Sequence, residues 1–491
     1  MMYSPTNEET ERLAGQGFRT IPVARTILAD VRTPIEVLNA LLRVDDHCYI
    51  LESVEDRQRW GRYTFLGFRP PLDFVCHNGQ VTVTEQGVAT TFSCTNPSAE
   101  IRKIIARYRS PRLADLPPFT GGLVGYFSYD YFKYAEPKLR INAQDDEGFK
   151  DADLMLFDKV IVFDNCRQTI TIIAHAYADD LRNSYTKACA DIEEMIELIR
   201  HGKPRDHVPA VLKSDFRARH SETDYEQMVE QAKIHIREGD IFQVVLSNRF
   251  EADFEGSLVD VYRVLRTTNP SPYMFYFSGS DIEVAGASPE TLVKLVGTEL
   301  HTFPLAGTRP RGKTEAEDLA LEKDLRTDEK ELAEHNMLVD LGRNDLGKIS
   351  QFGSVKVEKY MEIERFSHVM HLGSTVRSEI RPDKDALDAV EAVLPAGTLS
   401  GAPKLRACQI VDELEETKRG IYGGAIGYLD LTGNLDTCIA IRIAYCKNGK
   451  VFVRSGGGIV ADSVPSKEYQ ESINKAKAVI EAVHRAAEGI E

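Results

Sequence analysis

An α+β fold, with mixed and antiparallel β-sheets and flanking helices, is what this sequence predicts, on three observations. Short β-type runs are joined by tight-turn signals such as Asn78-Gly79, Thr432-Gly433-Asn434 and Asn448-Gly449, which make hairpins rather than parallel crossovers. These hairpins are mixed with amphipathic helical patterns, which favours α+β over a doubly wound sheet. No GxGxxG follows a strand and no GxxxxGK[ST] occurs, so nucleotide-binding folds lack their signatures.

Length and composition agree. A chain of 491 residues exceeds one ordinary core, so two or more domains are expected. Its 42% hydrophobic and 28% charged residues describe a soluble globular protein rather than a low-complexity chain. No apolar run approaches the roughly 20 residues that span a bilayer, and the polar, acidic start MMYSPTNEETERL is unlike a targeting peptide. Eight cysteines without CxxC spacing fit reduced thiols, hence a cytoplasmic setting. A formal charge of −16 argues against nucleic acid as a partner.

The elements follow in order. A helix is expected at 8–15, a strand near Thr20, and a helix after the cap pair Thr33-Pro34. The apolar run from Cys48 ends in Glu52 and Ser53. Strands follow at 62–68 and 72–93, a helix at 98–108, and a glycine-rich run at 119–126. Strands at 154–163 and 169–175 and a helix at 181–199 close an N-terminal domain, 1–200. Residues 201–221, charged and carrying two prolines, read as a linker to a domain at 222–485. There, helices are expected at 224–238, 257–267, 316–343, 385–393 and 403–415, with strands at 241–254, 273–305, 355, 368–376, 424–430, 437–446 and 450–454.

The last stretch, VFVRSGGGIVADSVPSKEYQESINKAK, concentrates chemistry. Gly456, Gly457 and Gly458 point to backbone that approaches something closely. On the helix opened by Pro465, Glu468, Glu471 and Lys475 share one face, and Ile473, Ala476, Val479, Ile480 and Val483 another. Glu331 and Glu334 repeat the i,i+3 pair on the long helix, and four such carboxylates with water suit Mg²⁺. Read alone, each pair is better explained as a solvated acidic helix face. The segment LPAGTLSGAPK, with Thr398, reads either as an anion-binding loop at a helix start or as an ordinary helix cap. His368 and His371 point to opposite faces of a β-type run, and Arg442 is a charge inside an apolar strand that requires a partner.

Together these segments resemble the chorismate-utilising enzymes, and specifically the anthranilate synthase component I family. The resemblance rests on FQVVLS (242–247), ASPE (287–290), PLAGTRPRG (304–312), EHNMLVDLGRNDLG (334–347), VMHL (369–372), GTLSGAPK (397–404), YGGAIGY (422–428), DTCIAIR (436–442) and SGGGIVADS (455–463). It implies that chorismate and ammonia are converted through aminodeoxyisochorismate to anthranilate and pyruvate. Mg²⁺ is then held by Glu334 and Glu471, with Glu331 and Glu468 nearby. Gly307, Thr308, Tyr422, Arg442, Gly456, Gly457, Gly458 and Lys475 match substrate-contacting positions, and Glu290, His371 and Thr398 catalytic ones. Ala306 and Gln243 stand where related amino- and isochorismate-type enzymes carry lysine, which leaves ammonia as nucleophile. An aminodeoxyisochorismate or aminodeoxychorismate synthase is the alternative. Leu51-Glu52-Ser53 and Pro272-Tyr273-Met274 match a tryptophan-feedback motif, with Ile50 where the family often has leucine. None of the eight cysteines sits in a glycine-flanked nucleophile turn. A separate glutamine amidotransferase subunit is therefore expected, in a heterotetramer of two large and two small subunits.

Overall fold

The structure is a computed structural model that describes residues 3–53, 61–139, 141–365 and 369–490. Its described strands form two sheets, of 13 and 12 strands. Turn chemistry acts as expected at both clear hairpins. Asn78 and Gly79 have φ of 48° and 75°, and Asn448 and Gly449 have 52° and 73°, the left-handed pair that a two-residue hairpin turn needs.

Three apolar clusters show how the sheets stack. Tyr49, Phe65, Tyr126, Phe275, Ile426, Cys438 and Phe452 pack between the sheets. Val451 and Val453 on the first sheet pack on Ala476, Val479 and Val483 of the helix Pro465–Glu488. Leu292, Leu300 and Leu435 on the second pack with Val339 and Leu346 of the helix Glu329–Gly347. The arrangement is helix, sheet, sheet, helix, and alternate residues of each inner strand face opposite layers.

Both sheets run across the boundary drawn from sequence. Cys48–Glu52 pairs with Tyr273–Ser278 in the first sheet, and Gly122–Phe127 pairs with Ala425–Asp430 in the second. The 201–221 segment contributes two short strands, Val211–Leu212 and Arg217–Ala218, which pair with Gln243–Glu255. They occupy hydrogen-bonding positions that a long edge strand would otherwise expose.

Three expected elements differ. The helix expected at 316–343 is two helices, Glu315–Thr327 and Glu329–Gly347, because the Asp328 carboxylate caps the second by accepting from Lys330 N and Glu331 N. The strand expected at 437–446 is broken between Leu435–Ile439 and Ile443–Lys447. Arg442 sits in that break with φ of 52°, so it is not a strand residue. The three glycines do not follow a strand but end one, since Lys450–Ile459 pairs through Gly458 with Val245.

Candidate active site

The two helices bring their glutamates to one place. Glu334 has its pKa raised by burial and by the charges of Glu331 and Glu471, so carboxylates more than a hundred residues apart in sequence are electrostatic neighbours. Glu468 is raised by burial and again by Glu471. A Cβ built on Gly457 would lie 3.3 Å from Glu468 Oε2 and 3.4 Å from Glu471 Oε1, so bare backbone faces these carboxylates. Mutual repulsion of hard oxygen donors is what a divalent cation relieves, and Mg²⁺ takes one or two protein carboxylates with water and ligand oxygens. The set fits Mg²⁺ as an open site rather than a closed cage. The close group of three metal-type ligands found among the described residues is elsewhere, at His235, Glu238 and Asp240, where Asp240 is already paired to Arg406 at 2.8 Å. Lys475 donates to Gly456 O at 3.1 Å and pairs with Glu471 at 2.8 Å.

A β-bulge builds the next part. The register of Leu305–Pro310 against Val369–Glu379 shifts between Ala306 and Thr308, and Gly307 takes φ of 65° there. The bulge turns the Gly307 carbonyl onto His371 Nδ1 at 2.9 Å, with Thr308 Oγ1 at 3.1 Å from the same nitrogen. A carbonyl can only accept, so Nδ1 carries the hydrogen and Nε2 the lone pair. Burial, the largest cause, and nearby Arg442 lower the His371 pKa and keep the ring neutral. Arg442 itself makes no ion pair among the described residues.

Glu290 follows the strand Glu283–Ser288. Its carbonyl accepts from Ile439 N at 2.9 Å. Burial pushes its carboxyl up to about 8, with a smaller opposing effect from the Thr398 hydroxyl. That hydroxyl approaches Glu290 but lies outside hydrogen-bond geometry, and its buried oxygen makes no hydrogen bond among the described residues. Thr398 belongs to the short turn Gly397–Leu399. A cavity of about 40 Å³ links Glu290 and Thr398 to Leu338, one turn beyond Glu334. Tyr422 is buried, with the Arg419 guanidinium 6.0 Å from its ring centre.

A larger cavity of about 210 Å³ opens between the sheets. Ser53, Pro272, Tyr273 and Met274 all line it, together with Glu52, Lys294 and Asp436. Tyr273 Oη donates to Asp436 Oδ1 at 2.8 Å and lies 2.9 Å from Thr291 Oγ1, while Lys294 pairs with Asp436 at 2.7 Å. Glu52 is held by Arg266 and by the Tyr262 hydroxyl.

Comparison with known proteins decides the family. The family model for the chorismate binding enzyme matches residues 46–481. The chain belongs to the chorismate-binding enzymes. It is 45% identical to anthranilate synthase component 1 of Pseudomonas aeruginosa, covering 99% of each chain. It is 42% identical to that of Acetivibrio thermocellus, over 99% of this chain and 100% of the relative. Among solved structures, anthranilate synthase component I of Streptococcus pneumoniae is 40% identical, with a TM-score of 0.76 over 87% of this chain and 93% of the other. The menaquinone-specific isochorismate synthase of Escherichia coli shares the fold, with a TM-score of 0.70 at 20% identity over 98% and 99%.

In this chorismate-binding enzyme the geometry gathers Glu331, Glu334, Glu468, Glu471, Gly307, Thr308, His371 and Arg442, and sets Glu290 beside Thr398 in one cavity. His368 lies outside the described residues. Sequence reasoning missed Glu415, Arg419 and Arg454, which are fully buried behind the glycine strand, and the cavity residues Lys294 and Asp436. The arginine inside the apolar run VFVRSGGG was the available signal.

Proposed function

We propose that this chorismate-binding enzyme converts chorismate and ammonia to anthranilate and pyruvate, as the large subunit beside a glutamine amidotransferase that supplies the ammonia. The observation that carries the reading is Glu290, a carboxyl kept protonated near neutral pH by burial, which shares a small cavity with Thr398 and accepts at its carbonyl from Ile439 N. The C4 hydroxyl of chorismate is a poor leaving group and needs such an acid. Ammonia forms the C2–N bond, the ring double bonds shift, and the hydroxyl leaves as water with the Glu290 proton. Gln243, buried beside Gly458, is an uncharged amide that cannot serve as a base, which suits a nucleophile that arrives with its own lone pair. His371, a neutral imidazole with its lone pair on Nε2 by tautomer, is the base that takes the ring proton as pyruvate departs. Thr398 and Tyr422 line the ring, and Arg442 and the N–H groups of Gly456 to Gly458 meet a carboxylate.

Glu334 and Glu471 would hold Mg²⁺, with Glu331 and Glu468 close by, and the ion when bound supplies charge stabilisation and orients a ligand carboxylate. The inter-sheet cavity supports a second part of the reading, tryptophan as feedback inhibitor. Its apolar wall suits an indole, and Glu52, Lys294 and Asp436 offer charges for an amino acid. Residues 1–200 act as the regulatory part, through Ser53, and 222–485 as the catalytic part.

The test is direct. Purified chain with chorismate, Mg²⁺ and ammonium should form fluorescent anthranilate, and tryptophan should suppress it. Accumulation of a non-aromatic amino product, or no turnover, would overturn the assignment.

A further inference from the structure

Behind the glycine strand lies a charged cluster that none of the chemistry above uses. Glu415, Arg419 and Arg454 are each about 1% exposed at the side chain. The Glu415 carboxylate accepts from Arg419 Nε at 2.9 Å and Nη2 at 2.6 Å, from Arg454 Nη2 at 2.6 Å, and from Ser247 N and Oγ at 2.7 and 2.9 Å. Its pKa is lowered by the two arginines against the effect of burial, so it is ionised. Two guanidinium groups on one carboxylate leave one positive charge over. Among the described residues, the ion pairs of Arg419 and Arg454 are both with Glu415, while the neighbouring buried Asp130 accepts from Gly420 N at 2.9 Å and feels Lys418 and Lys133. His220, close to Glu415 and Arg454, has its pKa lowered by burial and is neutral.

An unmatched buried cation is costly unless something anionic approaches it, and the position of this one is specific. Phe452, Arg454, Gly456 and Gly458 share one face of their strand by alternation, and Gly457 shares the other with the glutamates. The cluster also reaches the substrate-facing elements directly. Arg419 donates to Leu399 O, the residue after Thr398, and to Val245 O at 2.7 Å, opposite Gly458. Its guanidinium lies 4.6 Å from the Tyr129 ring centre and 6.0 Å from that of Tyr422. Arg454 donates to Ser247 Oγ at 2.8 Å, opposite Gly456, and to Lys418 O at 2.9 Å.

We infer that Arg419, Arg454 and Glu415 are positioning residues that fix the glycine strand, the Thr398 turn and Tyr422 together and place a net positive charge behind the substrate's carboxylate. This rests on the proposed chorismate chemistry and adds to it the source of the site's preference for an anion. Fixed buried charge needs no reorganisation when the ligand binds.

Anthranilate and its neutral analogue anthranilamide, both fluorescent, test the inference by titration into the Mg²⁺-loaded chain. Wild type should prefer the carboxylate. Arg419→Met should lose about tenfold of that preference and raise KM for chorismate more than it lowers kcat. Arg419→Lys, which keeps the charge and is the safer variant to fold, should retain most of the preference while losing kcat through the displaced Thr398 turn. A cluster that only stabilises the fold would lower the melting temperature in both variants and leave the carboxylate-to-amide ratio at the wild-type value, and that result overturns the inference. If Arg419→Met does not fold, a wild-type kcat in folded Arg419→Lys overturns it instead. Wild type that turns over no chorismate and binds neither ligand would instead remove the underlying functional reading.

Discussion

At Glu290, burial raises the carboxyl pKa to about 8, so the acid form is present below that value and is lost as pH rises through it. With free ammonia held constant, turnover is expected to fall as pH rises above 8, in a profile followed by anthranilate fluorescence. A general acid contributes roughly 10²–10⁴-fold, so Glu290→Gln should lose that much kcat while still binding chorismate. A variant with normal kcat would remove Glu290 as the acid. Glu471 faces Glu334 and Glu468 electrostatically, and Glu471→Gln should abolish Mg²⁺-dependent turnover while the fold survives. Half-saturation in Mg²⁺ and the circular dichroism spectrum report the two separately.

At the scale of elements, neighbouring glycines of one strand have different jobs. A Cβ on Gly456 would sit 2.0 Å from Leu246 O, a backbone atom that cannot swing aside. Gly456→Ala should therefore destabilise the fold by about 2–4 kcal/mol, read by denaturant titration. A Cβ on Gly457 meets only the ends of Glu468 and Glu471 at 3.3 and 3.4 Å. Gly457→Ala should fold normally and weaken Mg²⁺ binding, and equal melting losses in the two variants would contradict this division. Between cavity and catalytic strand, Tyr273 bridges Asp436 and Thr291, the residue after Glu290. Tyr273→Phe removes that bridge for a cost of about 1 kcal/mol. It should weaken inhibition by tryptophan more than it weakens catalysis, as paired inhibition and rate curves would show.

At the scale of the whole molecule, two sheets that each join strands from before residue 128 and after residue 272 leave neither half with a finished edge. A fragment beginning at residue 222 would leave Tyr273–Ser278 and Ala425–Asp430 each with one open edge, and it should aggregate rather than fold, as gel filtration would reveal. The inter-sheet cavity is lined by both sheets, so a ligand there resists their separation. Tryptophan at a hundred times its Kd should add about 2.7 kcal/mol of stability, seen as a rise in melting temperature.

The sequence by itself determined the α+β class, the hairpins at Asn78-Gly79 and Asn448-Gly449, and the apolar face of Pro465–Glu488. Each depends on turn chemistry or periodicity within a few residues. The motifs also marked the residue types of the active site, down to the glutamate pairs three apart. Tertiary structure alone decided that Glu334 and Glu471 share an environment, since over a hundred residues separate them. It alone placed Arg442 in a strand break and Gly456 to Gly458 within a ladder, because pairing partners come from distant strands. The cation cluster at Glu415, Arg419 and Arg454 has the same origin. Local sequence sets which face a side chain occupies, and only packing sets what waits on the other side of it.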